Sequence, residues 1–152
     1  MATEHLQLSS SEDQRPDGTA PVAVTMNQND AISGIEHSTT NNPENIRILF
    51  SGVYIVVFAP QVGRTSGSDP KYVDFWLKKN GTNVPNSNIR LVVGGKDNKD
   101  VIVGNTIASF DANDELNVMM SIETAGQGLG IEAIRPPGEP LVPSIIFSTH
   151  KI

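Results

Sequence analysis

The chain contains no cysteine, which removes a disulfide framework, a thiolate metal site and a cysteine nucleophile at once. Basic residues are scarce. Eleven Lys and Arg stand against 17 Asp and Glu, and a net charge of −6 repels a phosphate backbone rather than recruiting one, so nucleic acid is not an expected partner. No stretch approaches the roughly 18 uninterrupted apolar residues of a membrane-spanning helix, and residues 1–21 show no basic region followed by an apolar run. The expectation is a protein made in a cytoplasm without a secretory signal and with no membrane partner. Long runs of Ala, Leu, Glu and Lys are missing, as are internal repeats, heptads and Gly-x-y triplets.

What is present is strand and turn chemistry. Thirteen Gly and ten Pro punctuate 152 residues at short intervals, which together with abundant aliphatic residues reads as an all-β domain. A chain of this length suffices for one domain with a substantial core. The expected strands are 22–26, 32–37, 46–50, 53–59, 72–79, 89–93, 101–110, 116–123, 129–134 and 144–151, ten in all, arranged as a sandwich or jelly roll. Leu116, Val118, Met120 and Ile122 alternate with mostly polar neighbours, so that strand has one core face and one wetter face. Residues 53–58, Val-Tyr-Ile-Val-Val-Phe, are apolar on both faces and require a second layer of cover.

Residues 1–21 are polar and acidic, broken by Pro16-Asp17-Gly18, and are expected to form an extended arm ahead of a domain over 22–152. Leu6 and Leu8 alternate with His5 and Gln7. The arm is then either a solvated tail or a partner-binding segment that adds as a strand to another subunit through Leu6 and Leu8.

The most specific local signal is Lys79-Asn80-Gly81-Thr82, an Asn-Gly pair between β-forming runs, which suits a two-residue type I′ hairpin. Its setting is Val73-Asp74-Phe75-Trp76-Leu77 before the turn and Val84-Pro85-Asn86-Ser87 after it. This Phe-Trp-Leu-x-x-Asn-Gly-x-x-Val-x-x-Ser pattern resembles the complement C1q/TNF superfamily of jelly-roll domains, in particular its phage and viral virion-protein type. Three more segments match in order: Ser51-Gly52-Val53-Tyr54-Ile55-Val56-Val57-Phe58-Ala59-Pro60-Gln61, Ser109-Phe110-Asp111-Ala112-Asn113-Asp114-Glu115-Leu116, and Pro143-Ser144-Ile145-Ile146-Phe147-Ser148. The resemblance spans about 46–152. It departs from the superfamily pattern at Asn113, where glycine is usual, and at Phe110, where a smaller aliphatic is common.

The resemblance implies a ten-stranded C1q/TNF-like jelly roll that assembles as a homotrimer. The trimer interface is then expected at Tyr54, Val56 and Phe58. It further implies a non-enzymatic structural role, a capsid decoration or cement protein located in the virion, with a major capsid or other virion protein as partner and the arm as anchor. The alternative is a receptor- or glycan-binding head of a phage tail fibre or bacterial surface structure.

Other patterns are weaker. Asp111-Ala112-Asn113-Asp114-Glu115 gathers oxygen ligands but lacks the spacing of a calcium loop, and a β-turn is the simpler reading; Asp97 and Asp100 are read in the same way. His5, His37 and His150 stand apart from other ligands, and no nucleophile elbow accompanies them, so neither metal, cofactor nor catalytic residue is expected. Gly126-Gln127-Gly128-Leu129-Gly130 lacks the spacing of a dinucleotide loop. Asn80-Gly81-Thr82 fits a glycosylation acceptor, but the turn itself accounts for it.

Overall fold

The computed structural model describes residues 4–152. Among them lie fourteen strands and no helix: β1 His5–Ser10, β2 Val22–Ala23, β3 Gln28–Ser33, β4 Ile35–Glu36, β5 Ile46–Ile48, β6 Gly52–Gly63, β7 Lys71–Lys79, β8 Thr82–Asn83, β9 Ile89–Val93, β10 Asp100–Val101, β11 Gly104–Phe110, β12 Glu115–Ile122, β13 Gly130–Ile131 and β14 Ile145–Lys151. The four beyond the ten expected are β1, β8 and the division of the expected strands 32–37 and 101–110 into β3 with β4 and β10 with β11. Among the described residues no helix is long and apolar enough to cross a membrane.

The strands form two antiparallel sheets. In the first, β3, β1, β14 and β6 lie side by side; the opposite edge of β6 takes β11 along its first half and β10 near its end, and β13 also pairs with that end. In the second, β12 is central, with β7 on one side and β5 and β2 on the other, while β9 and β8 extend β7 and β4 extends β5. The inner faces pack on each other through Leu8, Tyr54, Val56, Phe58 and Phe147 from one sheet and Ile46, Val73, Phe75, Leu77, Leu116, Val118 and Met120 from the other. This is the two-layer solution for sheets that each bury one face.

The β7–β8 hairpin forms as its sequence predicts. Asn80 (φ 50°) and Gly81 (φ 80°) both take positive φ between the opposed residues Lys79 and Thr82. Its tip is tied to the next turn: Asn80 Nδ2 donates to Asp114 Oδ1 (2.8 Å), and Glu115 N donates to Asn80 Oδ1 (2.8 Å). Asp114 Oδ2 in turn accepts from Asp111 N (2.8 Å), and Asn113 sits at φ 73°. That hydrogen bonding accounts for the Asp-Ala-Asn-Asp segment as a turn.

The N-terminal expectation is corrected. Residues 5–10 are not an arm outside the domain but a strand within its first sheet, between β14 and β3. Leu6 (2% exposed) and Leu8 (0%) are core residues rather than a partner-binding arm. The period-2 alternation is present in the sequence, and the partner it serves is the chain's own C-terminal strand. The next stretch is also docked: Gln14 and Ile131 exchange backbone hydrogen bonds, and Gln14 Nε2 donates to Thr25 O (2.7 Å). Residues 1–3 lie outside the described part of the chain.

Candidate functional site

Strand β6 determines what the first sheet shows to solvent. Its even-numbered side chains Tyr54, Val56 and Phe58 are buried between the sheets, while Val53, Ile55 and Val57 turn outward. The expected trimer-interface set Tyr54, Val56 and Phe58 is therefore displaced by one residue: these three belong to the protomer's own core. Because successive strand residues point to opposite faces, a one-residue error moves the whole set to the other side. The sequence holds no cue to the correct face, since both are apolar.

Tyr54 shows how firmly the inward choice is made. Its hydroxyl donates to Phe50 O (2.8 Å), and its ring meets Phe110 edge-on with centroids 5.7 Å apart. Burial pushes its phenol above the usual tyrosine value, with a smaller contribution from Glu4.

Opposed residues in an antiparallel ladder share a face, so the outward surface follows from the register. Val53, Ile55 and Val57 face Ser109, Ile107 and Asn105 of β11. On the other side Ile55 faces His150 and Val57 faces Ser148 of β14, which in turn face His5 and Gln7 of β1. Ile146 extends the surface along β14. Ile107 is 64% exposed, and Val53 and Ile146 are 38% exposed, so the centre of the sheet presents contiguous aliphatic surface. None of these outward positions is Asp, Glu, Lys or Arg, in a chain that has 28 such residues. The strand at this edge, β11, lacks the charge, proline or bulge that usually protects a sheet margin.

Elsewhere, several charged groups are held in structural pairs. Glu132 lies buried between Arg15 Nη1 (2.6 Å) and Lys99 Nζ. Asp74 accepts two bonds from Arg90 (2.8 and 2.9 Å), whose guanidinium stacks 3.6 Å from the Tyr72 ring centroid. Arg64, almost wholly buried, donates to the carbonyls of Ser66, Asp69 and Val93 and to Gln127 Oε1, which gathers three loops at one end of the sandwich. Asp100 Oδ1 accepts from Val101 N, its own neighbour. The three histidines do not converge: His5 and His150 are opposed on the outward face, whereas His37 lies between Asn29 Oδ1 (2.6 Å) and Pro43 O (2.7 Å) at the far edge.

Comparisons with known proteins fall in line with the architecture. Two crystal structures of murine APRIL, at pH 5.0 and pH 8.5, superpose with TM-scores of 0.59 and 0.58, and in each case the match covers 98% of this chain and 98% of the other. Sequence identity is 12% and 13%, so the likeness is one of fold, the TNF-like jelly roll. No protein-family model and no curated protein matches the sequence.

Proposed function

We propose that this chain is a non-enzymatic structural protein that works as a homotrimer, assembled through the outward face of β6, β11 and β14. The observation that carries this reading is the uncharged aliphatic surface of Val53, Ile55, Val57, Ile107 and Ile146 on a protomer that is otherwise strongly acidic. Copies carrying a charge of −6 each repel one another, and they associate best through the region where that charge is absent. Exposed aliphatic area of this kind marks an interface. A closed ring satisfies every copy's face without an open filament, and the C1q/TNF resemblance favours three copies. The non-enzymatic part is supported by the engagement of Asp74, Arg90, Glu132, Arg64 and Asp114 in pairs and turns that stabilise the fold.

The finer role we propose is decoration of a larger shell, a virion, by this trimer. Its support is the Phe-Trp-Leu-x-x-Asn-Gly hairpin and its likeness to virion jelly rolls. Residues 5–10 are occupied in the sheet, so attachment to a capsid protein would fall to surface loops rather than to a free arm.

Light scattering on the purified chain tests the assembly; a particle about three times the 16.3 kDa chain mass is expected, and a monomer at micromolar concentration would overturn it. Co-sedimentation of the trimer with shells that lack it tests the decoration role separately.

A further inference from the structure

The chain's single tryptophan lies on the opposite side of the molecule, on the outward face of the second sheet. Trp76 faces Met119 across the β7–β12 ladder and is half-buried, and its indole Nε1 donates to Asn83 Oδ1 (2.8 Å), which pins the ring. Beside it is a depression of about 300 Å³ whose polar rim is Asp74, Asn83, Asn86, Asn88 and Ser121. The loop 84–88 builds one wall: Ser87 Oγ donates to Val84 O (2.7 Å) and accepts from Leu77 N (3.1 Å), and Asn86 turns the chain at φ 64°.

These rim groups divide into two kinds. Asp74 is neutralised by its two bonds to Arg90, and Asn83 is engaged by the indole. The side chains of Asn86, Asn88 and Ser121 form no hydrogen bond to any described residue, and Asn86 and Asn88 are exposed. An immobilised indole with an open flank, three uncommitted neutral hydrogen-bonding groups and no unpaired charge is a specific chemical arrangement. It does not select an anion or a cation. It does suit a molecule with one apolar face and hydroxyls around its edge, and a pyranose ring has that build: its C–H face packs on an aromatic ring while its hydroxyls take amide and hydroxyl partners.

We propose that this depression is a binding site for a neutral carbohydrate, a pyranoside stacked on Trp76 with its hydroxyls bonded by Asn86, Asn88 and Ser121. The site lies on the face turned away from Val53, Ile55 and Ile107, so it is open in a monomer and in a trimer alike, and it does not depend on the assembly reading. In a trimer, three such sites would point outward and bind a multivalent glycan with avidity.

Because Trp76 is the chain's single tryptophan, intrinsic fluorescence reports on this site alone. The experiment titrates the wild-type protein with methyl glucoside, galactoside, mannoside and N-acetylglucosaminide and with their disaccharides, using glycerol as a hydroxyl-bearing control that lacks a ring face. Saturable change is expected with at least one sugar, at an affinity of about millimolar for a single ring. Asn86→Gly/Asn88→Ala, both at exposed positions and with glycine suited to the φ of 64° at residue 86, is expected to keep the wild-type melting temperature and to weaken that sugar at least about tenfold. Trp76→Ala, followed by saturation-transfer NMR of the sugar, should abolish the signal; if that variant does not fold, the asparagine pair still decides. No saturable response to any sugar, an equal response to glycerol, or unchanged affinity in the asparagine variant would each overturn the proposal.

Discussion

Tyr54 and Ile55 are adjacent in the chain and face opposite worlds: the Tyr54 side chain is wholly enclosed between the sheets, and Ile55 lies on the outside, opposed to Ile107 on one neighbouring strand and His150 on the other. The division between protomer core and proposed assembly face runs between these two residues.

Substitution at the two positions should therefore fail in different ways. Ile55→Asp, or Ile107→Asp, places a carboxylate on the outward sheet surface; the expected product is a folded monomer with native circular dichroism, whose melting is lower than the trimer's and independent of protein concentration. Tyr54→Asp buries a charge with no partner, at a cost of about 3–5 kcal/mol, and should unfold or aggregate the protein. Light scattering and thermal melts on the three variants check this, and a persistent trimer in both isoleucine variants would remove the assembly face.

Leu8 tests the status of the N-terminus. If residues 5–10 were a dispensable arm, Leu8→Ala would be silent and deletion of 1–10 would leave a stable domain. As a fully buried residue of β1, Leu8 should lose about 2–5 kcal/mol on truncation to alanine, and the deletion should expose the edge of β14 and the core beneath it. Urea unfolding of both proteins gives the answer.

The link between Asn80 and Asp114 carries a pH signature. The Asp111 backbone N–H, then the Asn80 amide and the charge of Lys79, hold the Asp114 carboxyl below the ordinary aspartate value of 3.8. A lowered folded value means that the native state favours the carboxylate. The contribution is complete well above 3.8 and is lost as pH falls through the folded value. Asp114→Asn should be less stable than wild type at neutral pH, with the gap narrowing as pH falls below 3.8, as urea midpoints across pH would show.

Asn80→Ala removes both side-chain bonds of that link and puts alanine, which tolerates left-handed backbone less well than asparagine, at φ 50°. The expected loss is about 1–3 kcal/mol, and Asn80→Gly should recover the backbone part of it. A denaturant series on the two variants separates the terms.

Arg64 is expected to be critical to one end of the sandwich. Arg64→Met keeps much of the volume but removes the donor to the carbonyls of Ser66, Asp69 and Val93; those of exposed Ser66 and Asp69 can turn to water, whereas the buried Val93 carbonyl is stranded at a cost of about 1–3 kcal/mol. Amide exchange should rise in residues 64–69 and 124–128 ahead of the strands, since these loops lose their common anchor.

Several of these features are legible in the amino-acid sequence. The Asn-Gly turn is readable because positive φ is a property of two residues, whatever surrounds them. The core face of β12 is readable because Leu116, Val118, Met120 and Ile122 differ in polarity from most of their neighbours. Strand β1 reads instead as an arm, because six residues with two leucines carry too little signal to reveal a partner more than 130 positions away. The Trp76 depression leaves no trace in the sequence, since Trp76 itself reads as an ordinary strand residue and its rim comes from β7, β8, β12 and the loop after β8.

The class of structure follows from the amino-acid order alone, since turn residues and strand periodicity act over a few residues and need no distant partner. The sequence also determined the chemistry that the lack of cysteine rules out and the repulsion of phosphate. Which side of β6 lies inside is settled by packing between the sheets. Val53 to Phe58 is apolar on both faces, so local pattern leaves two registers equally good, and the choice between them comes from contacts with β7, β11, β12 and β14 that the chain makes only once both sheets have closed.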